Sequence, residues 1–192
     1  MKTKLLGTVL ILAMCSSCEM TDETFATENS DNYRDNQATK AYTTNSVKSS
    51  DYQTYKGIVT SFVYDHAQSY VHNIHRFEKH VNLLVPDETA RYQSIDEEQL
   101  AVLLSANEHF ISELNYSAEF KTALYDIVYL NKQFVPQLSV QSESDLIRNL
   151  FEMYNDNVDD KLNKKRTIAF AYGAQYNLTQ AILYAGAVEL SR

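Results

Sequence analysis

From Asp51 to Arg192 the chain holds three glycines, Gly57, Gly173 and Gly186, and both of its prolines, Pro86 and Pro136. So few breakers, combined with apolar residues recurring every three to four positions, predict an all-α fold. The pattern reads as a single bundle of about five or six helices. Tyr55, Val59, Phe62, Val63, His66, Tyr70, Ile74, Phe77, Val81 and Leu84 follow one face of a first helix. It starts near Ser50 and Asp51 and must stop before Pro86, because the residue ahead of a proline disfavours the α region. At about 34 residues it would span about 51 Å, long for a globular helix, so a bend is expected.

A second helix opens on the capping box Ser94-Ile95-Asp96-Glu97, with Leu100, Leu103, Leu104, Ile111 and Leu114 as its buried stripe. Ser117 caps a third, which turns Phe120, Leu124, Ile127, Val128 and Phe134 inward and ends before Pro136. Ser142 and Asp145 repeat the box signature ahead of Leu146, Ile147, Leu150, Phe151 and Tyr154. The charged segment from Asn155 to Lys165 reads as one short helix. Lys164-Lys165-Arg166 then precede TIAFAYGAQYNLTQAILYAGAV, Thr167 to Val188, 22 residues without a charge. A basic flank and an uncharged run suggest a membrane span, but Gln175, Asn177, Thr179 and Gln180 sit in its middle. A bilayer core penalises such side chains. The expectation is instead a central C-terminal helix covered by the others, with Gly173 and Gly186 letting neighbours approach.

Residues able to carry chemistry are scattered. His66 falls in the apolar stripe and reads as a core histidine. His72 and His75 point away from that stripe as i, i+3 neighbours able to share a ligand. Zinc would need further donors, the H-E-x-x-H pattern is absent from the sequence, and Lys79 on the same face would repel a cation, so no metal is expected. His80 and His109 have no partner identifiable in the sequence. Asp156, Asn157, Asp159 and Asp160 suggest calcium, but an EF-hand loop started at Asn155 puts Asp160 where glycine is needed and Arg166 where glutamate is needed. Glu97, Glu98 and Glu143 fall at helix starts, where negative charge complements the helix dipole. No nucleophile elbow, Walker loop or dinucleotide fingerprint occurs, and no cofactor or catalytic residue is assigned. Tyrosine is abundant, 14 residues against no tryptophan. Tyr70, Tyr125, Tyr172 and Tyr176 either pack the core with their hydroxyls at its edge or present binding surface.

The N-terminus gives an address. Lys2 and Lys4 precede the apolar run Leu5 to Met14, too short to span a bilayer and of the length and flanks of a secretory signal. After it come Cys15, Ser16, Ser17 and Cys18, the only cysteines being these two. Small residues directly before Cys18 resemble the lipobox of bacterial lipoproteins; bulky Met14 stands before Cys15. The resemblance implies a signal peptide over residues 1–17, cleavage ahead of Cys18, and a diacylglycerol thioether with a further acyl chain on Cys18. Each buried CH₂ then adds about 0.8 kcal/mol to anchoring. The mature chain would contain no thiol, which excludes a cysteine nucleophile. Residues 18–50, rich in Ser, Thr, Asn and Asp without apolar periodicity, read as a tether with a reach of about 30 Å, and residues 51–192 as the helical domain. Glu19, Asp22 and Glu23 resemble the surface-export signal of Bacteroidetes lipoproteins and favour the outer membrane over the inner.

Removing Lys2 and Lys4 leaves 15 basic residues against all 25 acidic ones, a net charge of −10. Such a chain has no electrostatic hold on nucleic acid; a protein with a neutral or basic contact patch is the expected partner. The sequence thus predicts a lipid-anchored, non-catalytic binding module of the cell envelope. Two more specific forms are an immunity lipoprotein that neutralises a toxin and an accessory subunit of an envelope assembly.

Overall fold

The computed structural model describes residues 51–85, 92–156 and 160–191. Among them are eight helices and no strand, so the fold is all-α: α1 Asp51–Ser61, α2 Tyr70–Leu84, α3 Glu97–Ser105, α4 Glu108–Glu113, α5 Ala118–Leu130, α6 Gln141–Asn155, α7 Asp160–Ala174 and α8 Leu178–Glu189. The expected signal peptide and tether, with Cys18, lie outside the described residues.

Three of the expected helices are each cut in two. The first stops at Ser61 and resumes at Tyr70, where Ser69 caps α2 by accepting from the His72 amide at 3.1 Å. The Asn73 side chain fixes the intervening segment, accepting from the Asp65 N–H at 2.9 Å and donating to the Asp65 carbonyl at 2.9 Å. Val63, expected inward, is consequently exposed, as is Leu84 at the far end of α2. The second is divided between α3 and α4 by Asn107, which caps α4 through the His109 amide. The cap of α3 is Asp96 rather than Ser94. Ser94 is drawn away because its hydroxyl donates to the buried Glu78 carboxylate, which also accepts the Ile95 N–H at 2.6 Å. At α5 the expected cap holds: Ser117 accepts from the Phe120 amide at 3.1 Å. By contrast, α6 starts at Gln141 behind Val140 with no side-chain cap hydrogen bond.

The uncharged run is the third divided helix. It forms the end of α7 and most of α8, separated by a turn at 175–177 in which Asn177 caps α8 through the Gln180 amide at 2.7 Å. No helix among the described residues is long and apolar enough to cross a membrane. The two helices fold back on each other more extensively than any other pair, and α8 also touches α1, α2 and α3. Ala181 to Val188 are all buried. The expected short helix at 155–165 is instead the first part of α7, which begins at Asp160.

The hairpin brings together the charges that bound the uncharged run. Arg166 Nη1 lies 2.9 Å from Glu189 Oε2, with the two side chains 5% and 4% exposed. Arg166 Nη2 also donates to the Met153 carbonyl at 2.6 Å and to Asn163 Oδ1 at 3.1 Å, which joins α6 to the hairpin. The surrounding core is continuous. Phe77, Val81, Leu103, Phe120, Leu124, Ile147, Leu150 and Phe170 are shielded from solvent, each side chain contributing about 1.5–3 kcal/mol by burial.

Tyrosines serve this core as much as its surface. The Tyr70 hydroxyl donates to the Ala187 carbonyl at 2.5 Å, Tyr116 to the Ala171 carbonyl at 2.9 Å, and the Tyr184 hydroxyl meets the Gln99 side chain. Burial above all raises Tyr55, Tyr70, Tyr116 and Tyr184 well above the ordinary phenol range, at Tyr55 against the opposing charge of Arg166. A raised folded-state pKa stabilises the fold fully below the unfolded value of about 10, and that stabilisation is lost as pH rises beyond it. Stability is therefore expected to fall steeply above about pH 10, with phenolate absorbance from these residues appearing together with loss of helical circular dichroism. Phenolate growing in fully while helicity stays constant would contradict the packing.

Candidate functional site

The segment from Asn131 to Val140 connects α5 to α6 and is held rigidly although it lies on the surface. The first tie is at the end of α5. Asn131 adopts φ 51° and ψ 39°, left-handed values that asparagine tolerates better than most residues. Its side-chain carbonyl accepts from the Tyr154 hydroxyl. The Lys132 amide returns to the Asp126 carbonyl at 3.1 Å, while Lys132 Nζ pairs with Asp126 Oδ2 at 2.6 Å.

Two more ties close the other end. Ser139 donates both its N–H and its hydroxyl to the Glu119 carboxylate at 3.0 and 2.9 Å. These bonds, the backbone one foremost, lower the Glu119 pKa, so this carboxylate is ionised at neutral pH. The Ser144 hydroxyl accepts from the Leu138 N–H at 2.8 Å and donates to the Leu138 carbonyl at 3.1 Å, seating Leu138 in the core. Glu143 accepts from the Ser117 N–H at 3.0 Å and from its hydroxyl, so the carboxylate expected as a cap of α6 also fixes the start of α5.

Between these ties Phe134 stands 62% exposed. The sequence pattern, which continues the third helix to Pro136, predicts it inward. The αL stop at Asn131 turns it out instead. Lys132 Nζ sits 5.8 Å from its ring centroid, a cation–π contact. Behind the ring opens a cleft of about 560 Å³ lined by Ala118, Thr122 and Asp126 of α5 and by Lys132, Phe134 and Gln137. Glu119, Asp126 and Lys132 give it a formal charge of −1. Nearby on α5, Tyr125 is exposed and stacks on Tyr129 at 5.2 Å, and Lys164 caps the Tyr129 ring at 5.6 Å. Aromatic, aliphatic and carboxylate groups thus line one recess.

The other residues singled out by sequence disperse. His66 is exposed on the segment between α1 and α2, its ring 5.1 Å from that of Tyr64, so it is not a core histidine. His72 and His75 both face solvent; His75 Nδ1 contacts Glu78 Oε2 at 3.3 Å. His80 Nε2 meets the Ser61 hydroxyl at 2.9 Å, and His109 lies 3.4 Å from Glu113. Glu97 and Glu98 occupy the exposed first turn of α3. Asp156 pairs with Lys56 at 2.9 Å, while Asn157 and Asp159 lie outside the described residues. Among the described residues no three histidine or acidic side chains come together as a metal site. Tyr70 and Tyr172 are half-buried, and Tyr125 and Tyr176 are exposed. A hydrogen bond with Tyr172, and secondarily burial, pushes Tyr176 up to about 12.

No protein-family model matches this chain, and neither a curated protein nor a solved structure matches it.

Proposed function

We propose that the protein is a bacterial lipoprotein, held to the envelope through acyl chains on Cys18 and the 18–50 tether. In this reading residues 51–192 fold as one bundle around α8 and act as a non-catalytic binding module for a protein or envelope component. The observation that carries the proposal is the exposed Phe134 on a segment tied down at three points. Holding a large apolar ring in water costs free energy, and rigidity of this kind lowers the entropy lost on binding. The −1 charge of the cleft and the acidic whole suit a partner with a neutral or basic patch. Its association should slow as salt rises, the Debye length being near 10 Å at 0.1 M.

Two measurements test this reading. Cys18→Ala should abolish acylation and, where its N-terminus is cut, release the protein from membranes, whereas Cys15→Ala should leave it acylated and attached; intact mass and detergent partitioning distinguish these states. A normally acylated Cys18→Ala protein would refute the anchor. Phe134→Ala should weaken retention of the partner captured from envelope extract or secreted protein by tenfold or more, the scale of an interface hot spot. Its own stability should change by no more than about 0.5 kcal/mol, as at other exposed positions. Capture of a diffusible toxin would identify the immunity form, and capture of a resident membrane protein the accessory-subunit form. Equal retention by parent and variant would remove Phe134 from the interface.

A further inference from the structure

The cleft behind Phe134 holds one charge that nothing within it balances. Of its three ionised groups, Asp126 and Lys132 are paired at 2.6 Å and cancel. Glu119 is hydrogen-bonded by Ser139, through the N–H at 3.0 Å and the hydroxyl at 2.9 Å, and meets no cation among the described residues. Ser139 therefore fixes where the carboxylate stands and leaves its charge whole. An exposed ion pair usually returns little, because two long side chains must be immobilised to form it. Here one of the two is already held, and only the incoming side chain has freedom to lose.

The opposite wall carries unspent main-chain groups. The N–H groups of Gln133, Phe134, Val135 and Gln137 bond to no described residue, and neither does the Gln137 side chain. The facing wall is helical, so its backbone bonds are closed within α5. Main-chain groups that face water exchange it for the main chain of an extended ligand, which is how peptides are commonly held. The cleft, at about 560 Å³, is larger than one side chain fills, so it admits the chain on either side of that residue.

We infer, on the reading that Phe134 faces a partner, that this cleft takes an extended stretch of polypeptide bearing one basic side chain, with the cationic head on Glu119, the aliphatic stem against Phe134 and the main chain on the free N–H groups beside it. Arginine suits the site better than lysine, because a guanidinium is weakly hydrated and its plane stacks on an aromatic ring. An acidic segment would be repelled by Glu119 and would find Lys132 already spent on Asp126. Charge selection thus falls to Glu119, whereas Phe134 supplies contact area whatever the charge of the partner.

The test titrates the purified full chain at low salt and follows its amide shifts by NMR. The probes are three blocked pentapeptides, each with four alanines around a central arginine, citrulline or glutamate, and methylguanidinium alone. Citrulline has nearly the shape of arginine and no charge. The arginine peptide should bind, with shifts at Phe134, Val135 and Gln137, and about fivefold more tightly than the citrulline peptide, the top of the range for an exposed ion pair. The glutamate peptide should not bind. Glu119→Gln keeps an oxygen for Ser139 and removes the charge, so it should bind the arginine and citrulline peptides equally. No binding of the arginine peptide, equal binding of arginine and citrulline by the parent, or a preference for arginine that survives in Glu119→Gln would each overturn the inference. Methylguanidinium binding as tightly as the arginine peptide would overturn it too, since the main chain would then contribute nothing. None of these outcomes touches the loss of partner retention expected of Phe134→Ala, so the interface reading stands or falls separately.

Discussion

Gly173→Ala should destabilise the protein by about 3 kcal/mol, the upper end of the cost of overpacking. An added Cβ would lie 2.5 Å from Ala181 Cα, 2.5 Å from the Gln180 carbonyl oxygen and 2.6 Å from the Ala181 amide nitrogen. These are backbone atoms and cannot rotate away. The methyl group can be admitted only if α7 and α8 move apart, and theirs is the most extensive helix pairing in the fold. Alanine's better helix propensity returns about 1 kcal/mol and does not offset this. The other two glycines calibrate the result. At Gly186 a Cβ would meet Phe77 ring carbons at 2.2 and 2.3 Å. A ring can shift, although Phe77 is fully buried, so Gly186→Ala should cost less and Gly186→Leu about 1–3 kcal/mol. Around exposed Gly57 nothing lies within 4 Å, and Gly57→Ala should stabilise by about 0.5–1 kcal/mol. Urea midpoints of the single variants give the order directly. A Gly173→Ala protein as stable as its parent would show that the hairpin is looser than described.

Glu189→Ala is the second large effect, with an expected loss of about 3–5 kcal/mol. The truncation leaves the Arg166 guanidinium charged in a nearly solvent-free site. Much of that cost belongs to the stranded charge rather than to the attraction. Replacing both partners, Arg166→Met with Glu189→Leu, should therefore recover a large part of the loss. Recovery should remain incomplete because Arg166 also holds the Met153 carbonyl and Asn163. Denaturant unfolding of Arg166→Met, of Glu189→Leu and of the double closes the cycle. Strictly additive losses would mean that the two side chains do not interact.

The scarcity of glycine and proline led correctly to an all-α fold and misled about helix length. It excludes one way of breaking a helix and leaves another. Ser69, Asn107 and Asn177 each start a helix by accepting from an amide two or three residues on, and each lies inside a stretch whose apolar spacing looked continuous. A short polar side chain competes for backbone hydrogen bonds as effectively as a missing N–H removes one. Ser117 and the inward residues Phe120, Leu124, Ile127 and Val128 of α5 are legible because cap and stripe there begin together.

The surface of α5 was less so. The spacing of Phe134 predicts it inward, since nothing local marks Asn131 as the point where the chain enters the left-handed region. The Arg166–Glu189 pair illustrates a different limit. Both residues are visible as the charges bounding an uncharged run, but they become partners only once the turn at 175–177 is known. Tyr55 falls in the expected apolar stripe, whereas nothing in the sequence marks Tyr52 as buried. Whether a buried phenol finds a partner depends on atoms some 100 positions away, such as Asp156 and Arg166.

The way α1 is attached has a mechanical meaning. It is the first described helix, and its second residue is latched to the body by the Tyr52 N–H donating to Asn149 Oδ1 at 3.0 Å, 97 positions along the chain. The same helix is joined to α6 by the Lys56–Asp156 pair and packs on α2, α6 and α8. A pull on the chain ahead of Asp51 loads the latch before any other element, and α1 is the part that peels under tension. Peeling it carries Tyr52 and Tyr55 away from Arg166. Under the proposed anchor on Cys18, drag on the body would act at this latch.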